Sequence, residues 1–302
     1  MSSDTKGIIL RIASTLFFTI TMLFIKFLAG EIPTGQIVFF RSAFALLPLV
    51  LLLMMTKEFP AGLRTARPMG HVTRCLLGCI AMFTSFAALK YLPIAHSTLI
   101  GYLAPIISVL LARALLKEQV TPVRIVGIGL GFSGMLVLIL PDLTAIHPDH
   151  GYLVGVALGL VTAILTAGAR IQVRRLTATE NPAAIAFYFA LTCTLAGLLT
   201  LPLGWVMPDG RQLMLLVGCG VAGGIAQIMM TLSYKLGEVS KLATFEYLSL
   251  AFAVVADFLF FAIVPEPNFY LSSALVVGAT LIVAFRDRSH ARRQKADANA
   301  PV

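Results

Sequence analysis

Three ionisable residues stand inside long apolar runs: Arg41 in Phe39-Phe40-Arg41-Ser42-Ala43, Glu246 in Thr244-Phe245-Glu246-Tyr247-Leu248, and Asp257 in Val255-Ala256-Asp257-Phe258-Leu259. A charge at the centre of a bilayer costs ~2.5–3.5 kcal/mol on insertion scales, so such a residue is retained for a counter-ion, a solute or a proton. Glu246 and Asp257 are eleven residues apart, about 1100° at ~100° per residue, which returns them to within roughly 20° on one helix face. At ~1.5 Å per residue, Asp257 falls about 8 Å and Arg41 about 10 Å below the same edge of a ~30 Å core. The expectation is that Arg41 and Asp257 pair across a cavity and leave Glu246 toward the opposite side, to meet an amine or a proton. The alternative is that each charge reaches its nearest interface.

Uncharged polar residues in the same runs are the next candidates, because a buried polar group must be satisfied by protein or by a water-filled cavity. They are Thr15, Thr19, Ser85, Tyr102, Thr162, Thr166, Gln227, Tyr247 and Ser249. Serine and threonine can bond back to the carbonyl one turn earlier, whereas Gln227 is costlier to bury and reads as a cavity residue. Tyr102 and Tyr247 read either as an aromatic clamp or as interfacial belt residues. A substrate site is therefore expected among Thr19, Tyr102, Gln227, Glu246 and Tyr247, with Arg41 and Asp257 as a charge pair or coupling element. Phe83 and Phe86 could stack on a planar solute or simply pack. Cys75, Cys79, Cys193 and Cys219 lie in apolar runs, where thiols behave as small hydrophobes. Asp142, His147, Asp149 and His150 sit in a short polar stretch that reads as solvated surface, so neither a metal nor a cofactor is expected.

The elements that must position these residues follow from composition. With 302 residues, 58% of them hydrophobic and 12% charged, and a mean hydropathy of +0.91, the chain has about half the charge that covers a soluble domain. That excludes a soluble enzyme, a disordered chain and a secreted disulfide scaffold. An all-α integral membrane protein is expected, with ten spans at 8 to 28, 34 to 55, 73 to 92, 94 to 116, 122 to 140, 151 to 173, 182 to 203, 212 to 234, 242 to 264 and 269 to 285. Pro93 separates the third from the fourth, Pro122 opens and Pro141 closes the fifth, Pro182 opens the seventh, Pro105 is expected to kink the fourth, and no small-residue cleavage site marks a signal peptide. Nineteen of the 23 Lys and Arg fall on the side of the two termini and three on the other, which places both termini in the cytoplasm at the cell inner (plasma) membrane. The net charge of +9 sits in clusters between apolar runs, the pattern of a bilayer partner and not of a nucleic-acid binder.

Residues 74 to 103 align without gaps on 219 to 248, pairing Gly78 with Gly223, Lys90 with Lys235 and Tyr102 with Tyr247. Gly7, Ala13, Leu16, Ile20 and Lys26 likewise match Gly151, Ala157, Leu160, Ile164 and Arg170, and Glu31, Pro33 and Phe40 match Glu180, Pro182 and Phe189. Two five-helix halves are expected, 1–145 and 146–288, followed by a basic cytoplasmic tail, 289–302. Five is odd, so the second copy enters the membrane inverted, the arrangement that supports alternating access. Gly151, Gly155 and Gly159 form one small-residue face, Gly127 and Gly131 a second, and Gly220 and Gly224 a third. Each reads as helix packing within the chain, with a homodimer contact as the second use.

With these features in place, the sequence resembles the EamA family of the drug/metabolite transporter superfamily. Arg41 in "FFRSAFALLP" and the stretch from "RPMGHVTRCLLG" through Pro105 and Glu118 to Gly134 carry the likeness. Leu250 stands where a second proline is expected, and Pro265-Glu266-Pro267 replaces the usual Gly-Glu turn. The resemblance implies a secondary transporter of a small organic metabolite: a vitamin such as riboflavin, an amino acid or a nucleoside-like compound. The competing class is a membrane-embedded enzyme acting on a lipid or small metabolite. Against it, the sequence has no His-Glu-x-x-His, no Gly-x-Ser-x-Gly around Ser133 and no phosphate loop. A channel lacks its filter or charge rings.

Overall fold

The computed structural model describes residues 3–55, 57, 59–116, 122–144, 149–236, 242 and 244–298. Lys117, Glu118, His147 and Lys241 lie outside the described residues, as do the side chains of Arg124, Asp142, Lys235 and the basic group from Arg286 to Lys295. Within them the chain is helical, with no strand: α1 (Ser3–Leu28), α2 (Thr34–Met55), α3 (Pro68–Ala88), α4 (Ile94–Gly101), α5 (Leu103–Leu116), α6 (Pro122–Thr144), α7 (His150–Leu176), α8 (Pro182–Leu198), α9 (Gly210–Leu236), α10 (Leu248–Phe261) and α11 (Pro267–Ala298). Six stretches among the described residues, within α1, α2, α3, α4–α5, α7 and α9, are long and apolar enough to cross a bilayer, and Ile125–Pro141, Pro182–Leu198 and Pro267–Ile282 are shorter apolar helices. Where no water can serve the backbone, helices that close their own hydrogen bonds are the stable answer.

Helix starts have identifiable causes. Asp149 Oδ1 accepts the N–H groups of Gly151 and Tyr152 at 2.8 and 3.1 Å, and Asn181 Oδ1 accepts that of Ala183 at 2.9 Å. Pro68, Pro122, Pro182 and Pro267 occupy first helical positions, where a missing N–H is harmless. Pro105 removes the donor that would serve the Gly101 carbonyl, and the helix breaks at Tyr102, whose N–H turns to the carbonyls of Thr98 and Leu99.

Two expectations need correction. The run from 242 to 264 is not one α-helix: residues 244–247 form a 3₁₀ turn, α10 covers only Leu248–Phe261, and Ala262 ends it in the left-handed region at φ 53°. Pro141 does not close the fifth span, since α6 continues to Thr144. The stretch from 289 is helical to Ala298, in keeping with the helix propensity of its Ala, Arg, Gln and Lys.

The packing is helix on helix throughout. α1 lies along α9, α3 along α7, α6 along α11, and α2 against both α8 and α9. Small residues make the close approaches. A Cβ at Gly155 would meet Leu92 Cγ at 2.7 Å and one at Gly159 would meet Ile100 at 3.1 Å, while Gly151 faces Tyr91 and Asp149. A Cβ at Gly131 would strike Ile106, and Gly220 and Gly224 seat Phe44 and Pro48 of α2. Gly127 is buried. These contacts are all inside the chain.

Candidate functional site

Between α1, α2, α3, α7 and α8 lies a cavity of about 390 Å³, within the ~300–1,000 Å³ range of small-molecule sites. Its wall is mostly apolar, with Phe18, Met22, Met82 and Phe86 among the larger side chains, and its polar members include Ser85, Thr162, Thr166 and three arginines, Arg41, Arg74 and Arg170. A smaller space of about 90 Å³ adjoins it, and Arg41, Arg74 and Phe189 line both; Gln227 of α9 opens onto the smaller one. Neither space is lined by a carboxylate.

Among the described residues, the two arginines at this seam are held without a counter-ion. Arg74 lies with its Cζ 4.0 Å from the centre of the Phe189 ring, a cation–π contact. Gly78, one turn on in α3, makes room for it: a Cβ there would come within 2.3 Å of Arg74 Nη1 and 2.8 Å of Phe189. Arg41 passes Gly223 at greater distance, with Nε 3.4 Å from where a Cβ would stand. The thiols of Cys193 and Cys219 are beside Arg41, and that of Cys193 is also near Arg74. Among the described residues neither arginine forms an ion pair, and the buried Arg41 Nε, Arg74 Nε and Arg74 Nη1 have no hydrogen-bond partner.

The expected couple of Arg41 with Asp257 is not formed. Asp257 is fully buried and turns both oxygens to the start of α4, accepting the N–H groups of Ile94 at 3.0 Å and Ala95 at 2.7 Å. That helix follows Pro93 and has no capping side chain of its own, so the carboxylate of α10 satisfies its first donors. Lys26, which donates to the Leu92 carbonyl at 2.5 Å, is the cation beside it. Nor do Glu246 and Asp257 share a strip of one helix, because the 3₁₀ turn that carries Glu246 breaks the 100° count. Glu246 is engaged by Arg11 at 3.0 Å and more loosely by Arg170 at 3.8 Å.

The other candidates are dispersed. Thr19 donates to the Thr15 carbonyl at 3.1 Å, and Thr15 to that of Arg11 at 2.9 Å; neither lines the cavity. Tyr102 and Tyr247 do meet, edge to face with centroids 5.3 Å apart, and the Tyr102 hydroxyl contacts Ser249 Oγ at 2.5 Å and the Glu246 carbonyl at 3.2 Å. They tie the helix break at Tyr102 to the 3₁₀ turn and stand outside the cavity. Phe86 lines the cavity, while Phe83 packs against the core. Arg74 and Phe189 line the cavity and are not among the residues expected from the sequence. A span beginning at 73 puts Arg74 at its edge, yet it lies two turns inside α3, and Phe189 is legible as the partner of Phe40 in the internal alignment.

At the two ends of the bundle, acidic residues latch neighbouring elements. Glu180 Oε1 accepts the N–H groups of Ala66 and Arg67 at 2.9 and 3.0 Å, and Oε2 lies 3.3 Å from His71 Nε2. Burial alone would raise the Glu180 carboxyl, but hydrogen bonds from Ala66, His71 and Thr65 outweigh it and hold the group below the ordinary carboxylate range. Glu31, at the opposite end, accepts one bond from Gln212 at 3.1 Å.

The EamA-like transporter family is matched twice along the chain, over residues 5–140 and 153–285. A pseudopaline exporter of Pseudomonas aeruginosa is 26% identical over 92% of this chain and 96% of its own length. A riboflavin transporter of Brucella anthropi is 29% identical over 86% and 91%, and an S-adenosylmethionine uptake transporter of Rickettsia prowazekii is 24% identical over 87% of each chain. One solved structure superposes on 94% of this chain and 98% of its own at 21% identity, with a TM-score of 0.65, so the fold is shared.

Proposed function

This chain belongs to the EamA-like transporter family, and from that premise we propose that it moves a small organic metabolite across the bacterial inner membrane by alternating access through the cavity at Arg41 and Arg74. It is a multi-pass membrane transporter and not an enzyme. The observation that carries the reading is the cavity itself, walled by α1, α2 and α3 of the first family-matching segment and by α7 and α8 of the second.

In this reading ten spans form two inverted repeats, 1–145 and 146–288, with both termini cytoplasmic. What supports it is that the packing maps onto itself when the halves are exchanged. The contact of α1 with α9 becomes that of α7 with α3, α2 with α9 becomes α8 with α3, and α2 with α8 and α6 with α11 each return to themselves. The latches follow the same rule, Glu31 to the start of α9 and Glu180 to the start of α3. A repeat interface of this kind has two near-equivalent arrangements.

Gln227, Ser85, Thr162 and Thr166 would orient the solute, and Phe86 and Phe189 would flank it. A vitamin such as riboflavin, an amino acid or a nucleoside-like compound matches the cavity's size, and the relatives named for export and for uptake fit either direction. Purified protein in sealed liposomes, tested with labelled riboflavin, S-adenosylmethionine and amino acids, is expected to show saturable uptake with counterflow for at least one. Flux that stays linear with concentration, or no flux of any, would contradict a carrier.

A further inference from the structure

We propose that the solute of this cavity is a small organic anion, whose carboxylate or phosphate oxygens are held between the guanidinium groups of Arg41 and Arg74. The inference deepens the transport reading and rests on it only for what happens after binding.

Charge accounting over the described residues leads to it. Three carboxylates of the bundle are engaged elsewhere: buried Asp257 by the backbone of α4, buried Glu180 by Ala66, Arg67 and His71, and half-exposed Glu246 by Arg11 and Arg170. Arg41 and Arg74 face the same space with three buried N–H-bearing nitrogens unmatched. A buried cation without a partner is costly, and the planar guanidinium matches an oxyanion through two parallel bonds. Apart from Arg170 and the hydroxyls of Thr21, Ser85, Thr162 and Thr166, the rest of the wall is apolar and aromatic, which suits an organic body and not an inorganic ion. Glycine makes room for Arg74 at Gly78, and the internal alignment pairs that position with Gly223, which lies beside Arg41.

The two glycines differ in a way that can be tested. An added methyl at Gly78 would collide with Arg74 Nη1 at 2.3 Å and must displace the guanidinium, whereas one at Gly223 would rest 3.4 Å from Arg41 Nε, an ordinary contact. Gly78→Ala is therefore expected to weaken anion binding and Gly223→Ala to preserve it.

The experiment is thermal unfolding of the purified full-length protein in detergent with matched probes: phenylpropionate against phenylpropionamide for the carboxylate arm, and riboflavin 5′-phosphate against riboflavin for the phosphate arm. At least one acid is expected to raise the melting temperature where its neutral partner does not. That shift should disappear in Arg41→Gln and Arg74→Gln, shrink in Gly78→Ala and persist in Gly223→Ala. Which arm responds assigns the oxyanion. Stabilisation by the neutral partners alone, by neither acid, or equally in the glutamine variants overturns the proposal. An acid that stabilises the protein but shows no counterflow in liposomes would leave the anion site standing and remove the transport reading. Counterflow of riboflavin without an acid effect would do the reverse.

Discussion

Two groups of arginines lie along the same bundle and are treated in opposite ways. Arg11, with a side chain only 5% exposed, is met by Glu246 at 3.0 Å, and Arg170 joins them at 3.8 Å. Arg41 and Arg74 are met by an aromatic ring, thiols and glycine, and among the described residues by no carboxylate. The first group shares one carboxylate between its two arginines and ties α1 and α7 to the turn before α10. The second is complete only when something negative enters the cavity. Charge within a span is thus an ambiguous sign of function, and the missing counter-ion is the informative one.

The most severe way to break this contrast is to convert the open group into the closed kind. Arg74→Glu would give Arg41 an internal partner, and anion transport is expected to fall below detection while the melting temperature in detergent holds or rises. Removing one charge is milder. Arg41→Gln should weaken anion binding by about 10–100-fold, the loss of a charged hydrogen bond of ~1.5–3 kcal/mol, with no loss of thermal stability, read by ligand titration beside a melting curve.

The opposite signature is expected of the closed group. Glu246→Gln strands buried Arg11 and should lower unfolding stability by about 2 kcal/mol, below the ~3–5 kcal/mol of a fully buried pair because the Glu246 side chain is 43% exposed. Transport per folded molecule should be retained. The smallest effect belongs to Glu180. Because its pKa is depressed in the fold, its contribution is full above the ordinary carboxylate range of about 4.3 and is lost as pH falls through the lowered value. Melting curves taken from about pH 6 to about pH 3 should therefore drop more steeply for the wild type than for Glu180→Gln.

The helices were legible because apolar runs and prolines write their limits directly: 34 to 55 is reproduced, and 94 to 116 is reproduced with the break that Pro105 imposes. The charge pairing was not. A count of 100° per residue assumes continuous α-helix, and the 3₁₀ turn at 244–247 voids it for Glu246 and Asp257. Asp257 as a cap for α4 could have been suspected, since Pro93-Ile94-Ala95 opens a buried helix with no Ser, Thr, Asp or Asn at its head. Arg74 was hidden by its position, seven residues into a helix whose start at Pro68 lies five residues before the expected one. Its aromatic partner belongs to the other half of the chain, a contact that only the packed bundle creates.

The central claim, that the unpaired arginines and not the paired ones carry the solute, is tested most directly by counterflow. Liposomes holding wild-type, Arg41→Gln or Glu246→Gln protein would be preloaded with whichever of phenylpropionate or riboflavin 5′-phosphate stabilises the protein more, and entry of the labelled compound followed. The account predicts accelerated entry in wild-type and Glu246→Gln vesicles and none in Arg41→Gln vesicles; equal counterflow in all three, or its loss only in Glu246→Gln, would contradict it.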